Sequence, residues 1–132
     1  MQLITNNLKK MSGTALLSVG LFAAAQASAA GACDNANTQA DINKCMATEL
    51  STEDNKLNRS YSDLQRLLNT SEKKQLKTAQ LAWIDFRDKA CKFSARSFSG
   101  GSAYSMALNG CLTTYTHQRR VQLHEEIQNI KK

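Results

Sequence analysis

Four cysteines, two histidines and one dense polar and aromatic stretch are the parts of this 132-residue sequence that could do chemistry. Cys33, Cys45, Cys91 and Cys111 are separated by 12, 46 and 20 positions. Protein zinc sites usually use close pairs such as C-x2-C, and none of these spacings is of that kind. His117 and His124 lie seven apart and could share a helix face, but no cysteine or carboxylate joins them at ligand spacing. Neither a metal nor another cofactor is therefore expected. Carboxylates occur close together at Glu53-Asp54, Asp85 with Asp88, and Glu125-Glu126. General acid–base work needs carboxylates held in a cleft, and on helices such neighbours are ordinarily solvated charge. No nucleophile turn supports a Ser/His/Asp arrangement, and no glycine-rich loop follows a strand to cradle phosphate. No catalytic residue is assigned, and the chain is not expected to be an enzyme.

The dense stretch is Gln80 to Cys91, "QLAWIDFRDKAC", with the sequence's single Trp at position 83 and an Arg four residues on. Gln80, Arg87, Thr116 and Arg119 fall where helices should face one another. They could line a polar groove for a ligand, or they could bridge helices by hydrogen bonds, with Arg87 reaching a carboxylate or a helix-end carbonyl. The second reading is favoured, because the guanidinium fork makes several bonds at once. Trp83 is expected at the centre of the core.

The redox state of the cysteines follows from the compartment. Lys9 and Lys10, the uncharged apolar run Met11–Ala25 and the small residues Ala27-Ser28-Ala29 read as an export signal over residues 1–29, cut after Ala29 or Ala30. The apolar run is shorter than the roughly 20 residues a spanning helix needs, so an uncut anchor is the lesser reading. Lipidation at Cys33 is also disfavoured: the residue three before it is Ala30, and it would leave an odd number of cysteines. All four cysteines lie in the remaining 30–132, a single domain expected in the periplasm or outside the cell, with two disulfides. Two of the 17 basic residues leave with the signal, so 15 basic residues face 11 acidic ones, a formal +4. The charges are interspersed, which argues against a nucleic-acid partner.

The elements that must position these residues are helices. There is no proline, little glycine after the signal and no alternating β-branched run. Helix one should start near Thr38, capped by Asn37 or Thr38, and carry Ile42, Cys45, Met46, Leu50, Leu57, Tyr61, Leu64 and Leu68. The polar segment Ser51–Lys56 interrupts its stripe, and one continuous helix is favoured over a break. Thr70 or Ser71 should cap helix two, with Glu72 in its first turn. Its face carries Leu76, Ala79, Gln80, Trp83, Ala90 and Cys91, flanked by Phe86 and Arg87, and it should fade near Phe98. Helix three should start near Ser102 and carry Leu108, Cys111, Leu112, Tyr115, Leu123, Ile127 and Ile130. Gly110 within it would let a neighbouring backbone come close. The expected fold is all-α: three helices, each antiparallel to the next, joined by short turns and stapled by two disulfides.

Helix geometry ranks the pairings. Measured from a turn at Gly100, Cys91 and Cys111 lie nine and eleven residues away and are nearly level at ~1.5 Å per residue. Cys33 can fold back to Cys45 across the start of helix one. Cys45 with Cys91 would be mismatched by about 6 Å, at the edge of what a disulfide spans. Cys33–Cys45 with Cys91–Cys111 is therefore preferred.

One pattern covers most of the chain after the signal: Thr38-Gln39 with Asn43 and Cys45; Leu57-Asn58 with Tyr61 and Leu64; Gln80, Trp83, Arg87 and Cys91; and Cys111, Thr116, Arg119 and Leu123. This resembles the small exported domain of LprI-type lysozyme inhibitors, a family mostly of unknown function. The resemblance implies a helical, disulfide-stapled protein that binds a protein partner, in the first instance a lysozyme. The alternative is a periplasmic interaction or envelope-stress module without inhibitory activity. Many lysozymes are strongly basic and would repel a +4 partner at long range. An acidic patch on one exposed face, formed by Glu49, Glu53 and Asp54, would offset this. No loop stands out as a plug for a cleft, and the sequence does not fix the oligomeric state.

Overall fold

The computed structural model describes residues 33–132. The expected signal over 1–29 and both cut positions lie outside the described residues. Helix α1 runs Gln39–Leu67, α2 Thr70–Ser94 and α3 Tyr104–Ile130, with a short 3-10 helix, Ala95–Phe98, following α2. The described residues contain no strand.

Local chemistry sets the helix ends. The Thr38 hydroxyl accepts the Asp41 N–H at 3.1 Å and caps α1. Ser51–Lys56 does not break this helix: the Thr48 and Thr52 hydroxyls donate to the carbonyls of Lys44 and Thr48, and Lys56 pairs with Glu53 at 2.7 Å. Thr52 and Lys56 are thus bonded within the helix, while Glu53 also reaches Arg120 of α3 and Asp54 reaches Arg87 of α2. Only Leu68 and Asn69 separate α1 from α2. Asn69, rather than Thr70 or Ser71, caps α2. Its Oδ1 accepts from Glu72 N at 3.0 Å, and Glu72 Oε2 accepts from Asn69 N at 2.8 Å, a reciprocal pair that satisfies two exposed donors. α2 ends at Ser94, and the 3-10 turn carries the chain to Phe98. α3 begins at Tyr104, two residues later than the sequence suggests.

Contacts between helices fix their directions. Asn43 meets Ser102, Gln39 meets Met106, and Asp54 lies beside Thr116, so α1 and α3 run parallel. Cys91 with Cys111, Arg87 with Thr116, and Gln80 with Arg119 set α2 antiparallel to α3. α3 packs chiefly against α1, the helix farther from it in sequence, and more lightly against α2. A Cβ on Gly110 would lie 3.2 Å from Met46 Cε, so this glycine sits at the α1–α3 contact.

The core is Leu57, Leu64, Leu123 and Ile127, with Tyr61, Leu68, Leu76 and Trp83 packed around it. Trp83 is therefore at the edge of the core and half-buried, not at its centre, and Ile130 is exposed. Both disulfides are the preferred ones, Cys33–Cys45 with Cα atoms 5.9 Å apart and Cys91–Cys111 at 5.5 Å. A buried Leu or Ile contributes about 2 kcal/mol and a disulfide closing a loop of this size about 3. In so small a core the two staples therefore carry a share of the stability comparable to its four central side chains. They are also segregated: both lie toward the end where α1 and α3 begin, and the apolar core occupies the opposite half.

Candidate functional site

Between the stapled end and the apolar end, one polar contact joins all three helices. Arg87 of α2 donates through Nη1 to Asp54 Oδ1 of α1 at 3.1 Å and to Thr116 Oγ1 of α3 at 2.9 Å. Its Nε donates to Asp88 Oδ1 at 2.9 Å. The Arg87 side chain is 13% exposed, and Thr116 is fully buried. One helical turn away, Arg119 donates through Nε to the buried Gln80 Oε1 at 2.9 Å and through Nη1 to Gln122. Both guanidiniums stand near Trp83, at 5.1 Å and 6.0 Å from the ring centroid. The indole ring thus carries two cation–π contacts. Burial pushes the Arg119 guanidinium below its ordinary value, and the charge of Glu126 opposes that shift.

The structure therefore brings Gln80, Trp83, Arg87, Thr116 and Arg119 into one belt. Their polar atoms point at one another across helix interfaces. Two shallow open grooves, one along Lys74, Thr78 and Ala82 on α2 and one along Asn55, Arg59 and Ser62 on α1, lie away from these residues.

The expected acidic patch does not form. Both carboxylate oxygens of Glu49 are buried and lack a hydrogen-bond partner among the described residues. Glu53 is 12% exposed and is held by Lys56 at 2.7 Å and by Arg120 at 3.1 Å, with His117 Nδ1 at 3.5 Å. Asp54 is taken by Arg87. Glu53 faces α3 and Asp54 faces α2, and Glu53 lies on the side of α1 that carries the buried Leu57 and Leu64. Burial raises the Glu53 carboxyl, but hydrogen bonds and charge from Lys56 and Arg120 outweigh that and hold it below the usual value. His117 points to this cluster, and His124 to Gln128. The described donor group that comes within 4.8 Å is Cys33, Cys45 and Glu49. Its two sulfurs are bonded to each other, so they are not thiolate ligands.

One feature was missed from the sequence. The turn between α2 and α3 is an exposed tip: residues 92–102 are exposed except Ala95. Phe93 is 65% and Phe98 45% exposed. Arg96 lies over the Phe93 ring, 3.9 Å from its centroid. The signal was present in two aromatic residues and an Arg immediately before "SGGS", inside a stretch from Lys89 to His124 that holds no acid.

These features define a class: a small helical protein stapled by disulfides, whose buried polar residues lock helices together and whose exposed apolar side chains gather partly at one tip. The family model for lysozyme inhibitor LprI matches residues 29–123, and the chain belongs to that family. It is 30% identical to an uncharacterized protein of Rhizobium meliloti (strain 1021), over 75% of this chain and 81% of that protein. No solved structure matches.

Proposed function

We propose that the protein is an exported, non-enzymatic binding protein that inhibits a lysozyme or a related cell-wall hydrolase. The observation that carries this reading is the family match over residues 29–123. The two closed disulfides support a periplasmic or secreted location, since such bonds persist in oxidising compartments. Among the described residues no helix is long and apolar enough to cross a membrane. The partner is a protein, engaged without a cofactor. In this reading the Arg87 belt does not touch the partner; it fixes the relative positions of the helices that present the binding surface.

The test is a turbidity assay. Purified oxidised protein should slow lysis of a peptidoglycan suspension at a near-stoichiometric ratio to the hydrolase. Absence of any effect on several lysozyme types would remove the proposal.

A further inference from the structure

We propose that the α2–α3 tip, Phe93 to Phe98, enters the substrate cleft of the inhibited hydrolase and sets Arg96 against the carboxylates there. This inference rests on the inhibitor reading and names the surface that performs it.

The tip is exposed and also rigidly mounted. Its base is Cys91, fully buried and bonded to Cys111, and Ala95, 1% exposed. Beyond that, Ser99 N donates to Arg96 O at 3.1 Å, Gly101 N to Phe98 O at 3.0 Å and Tyr104 N to Gly101 O at 3.2 Å. Gly100, at φ 79°, makes the reversal that an L side chain would resist. Asn43 Nδ2 donates to Ser102 O at 2.9 Å, tying the far side of the turn to α1. A loop already held in one shape loses little freedom on binding.

The side chains on this mount fit one kind of partner. Arg96 stacks on Phe93 and donates through Nη1 to the Phe93 carbonyl at 2.8 Å. It has no carboxylate partner among the described residues. Its remaining N–H donors are thus open to a partner, with the Phe93 ring beneath the guanidinium and the exposed Phe98 two residues on. Glycan hydrolases commonly work with two carboxylates roughly 5–9.5 Å apart in a cleft. A guanidinium is shaped to bond carboxylates with two parallel N–H groups, and aromatic residues and Arg are the side chains enriched at binding hot spots.

The same placement resolves the charge conflict. A basic hydrolase repels a basic inhibitor over distance, but at physiological salt charges are screened beyond about 8 Å. The contact that decides affinity is therefore local, between an acid-free tip and an acidic cleft.

The test compares two charge reversals with equal effect on net charge, Arg96→Glu at the tip and Lys77→Glu on the exposed side of α2. Each is measured for inhibition of a lysozyme that the wild-type protein inhibits, with the melting temperature checked in parallel. Arg96→Glu should weaken inhibition at least about 30-fold, as loss of a desolvated charge contact does. Lys77→Glu should stay within about threefold. Binding of the wild-type protein to that lysozyme, measured directly, should also be displaced by a short N-acetylglucosamine oligomer that fills the cleft. Equal loss in both variants, full inhibition by Arg96→Glu, or no competition by the oligomer overturns the tip assignment and leaves the inhibitor reading standing. Undiminished inhibition by Arg96→Glu with binding to anionic phospholipid vesicles lost would assign the tip to a membrane instead. A wild-type protein that inhibits no lysozyme overturns both.

Discussion

Replacing Arg87 by Met keeps an unbranched stem and removes the guanidinium that joins the three helices. The ion pairs with Asp54 and Asp88 contribute little, because those side chains are 41% and 44% exposed and water screens them. The bond to the Thr116 hydroxyl is different, since Thr116 is fully buried. A hydrogen bond to a charged donor there contributes about 1.5–3 kcal/mol. Loss of the stacking on Trp83 adds about 0.5–1 kcal/mol. Arg87→Met should therefore cost about 2–4 kcal/mol, a fall in melting temperature of at least about 8 °C for a domain of this size. The assay is urea denaturation of the oxidised protein followed by far-UV circular dichroism, with linear extrapolation. Thr116→Val, made alone and with Arg87→Met, completes a double-mutant cycle. The two losses should overlap by about 1–2 kcal/mol. A loss under about 0.5 kcal/mol for Arg87→Met, or strict additivity in the cycle, would refute the view that this contact braces the helices. Arg87→Lys then separates bracing from binding: reduced stability with undiminished inhibition is expected, and normal stability with lost inhibition would place Arg87 in the binding surface.

Removing one staple by Cys91→Ser with Cys111→Ser should cost about 3 kcal/mol. It should speed amide exchange at the tip before the core, and uniform acceleration would contradict the segregation of the two halves. Glu53 has its folded-state pKa held below the ordinary value of 4.5, so its contribution to stability is present above that value and lost as pH falls through the lowered one. Glu53→Gln should flatten that acid limb of the stability–pH curve, and an unchanged slope would show the Lys56 and Arg120 contacts to be inconsequential. Gly110→Ala should raise stability by a few tenths to about 1 kcal/mol, because Ala favours helix and the neighbour at 3.2 Å is the flexible end of Met46. A destabilised variant would mean Met46 cannot yield.

The helices and their staples were legible because their causes are local. The cap at Thr38, the near-level heights of Cys91 and Cys111 about Gly100, and the short turn before Glu72 all depend on neighbours in sequence. Even the cap misplaced at Thr70 or Ser71 had its signal in Asn69-x-x-Glu72, obscured by two adjacent residues that also cap well. The acidic patch failed on a longer-range fact. Glu49 and Glu53 lie one turn apart, which shows that they share a face but not that the face is covered. Glu53 lies one turn from Leu57 and three from Leu64, and following that stripe would have turned it inward. The size and apolarity of Trp83 point to the core's centre, but the four aliphatic residues of α1 and α3 pack there and leave the indole at the edge beside two guanidiniums. The tip is legible only in part: two aromatic residues and an Arg before "SGGS" mark it, but only the place where α2 stops turns the rings outward.

The parallel pairing of α1 with α3 has a consequence for the order in which the protein assembles. Leu57 and Leu64 meet Leu123 and Ile127, about sixty to seventy residues further along. During synthesis the first helix must wait, its apolar side uncovered, until the last one is complete. Both disulfides join cysteines no more than 20 positions apart and can close earlier. A chain stopped just before Leu123 would retain every cysteine and the whole Arg87 belt, yet lose half the central core. Such a fragment should show correctly paired disulfides by mass mapping and no cooperative thermal transition.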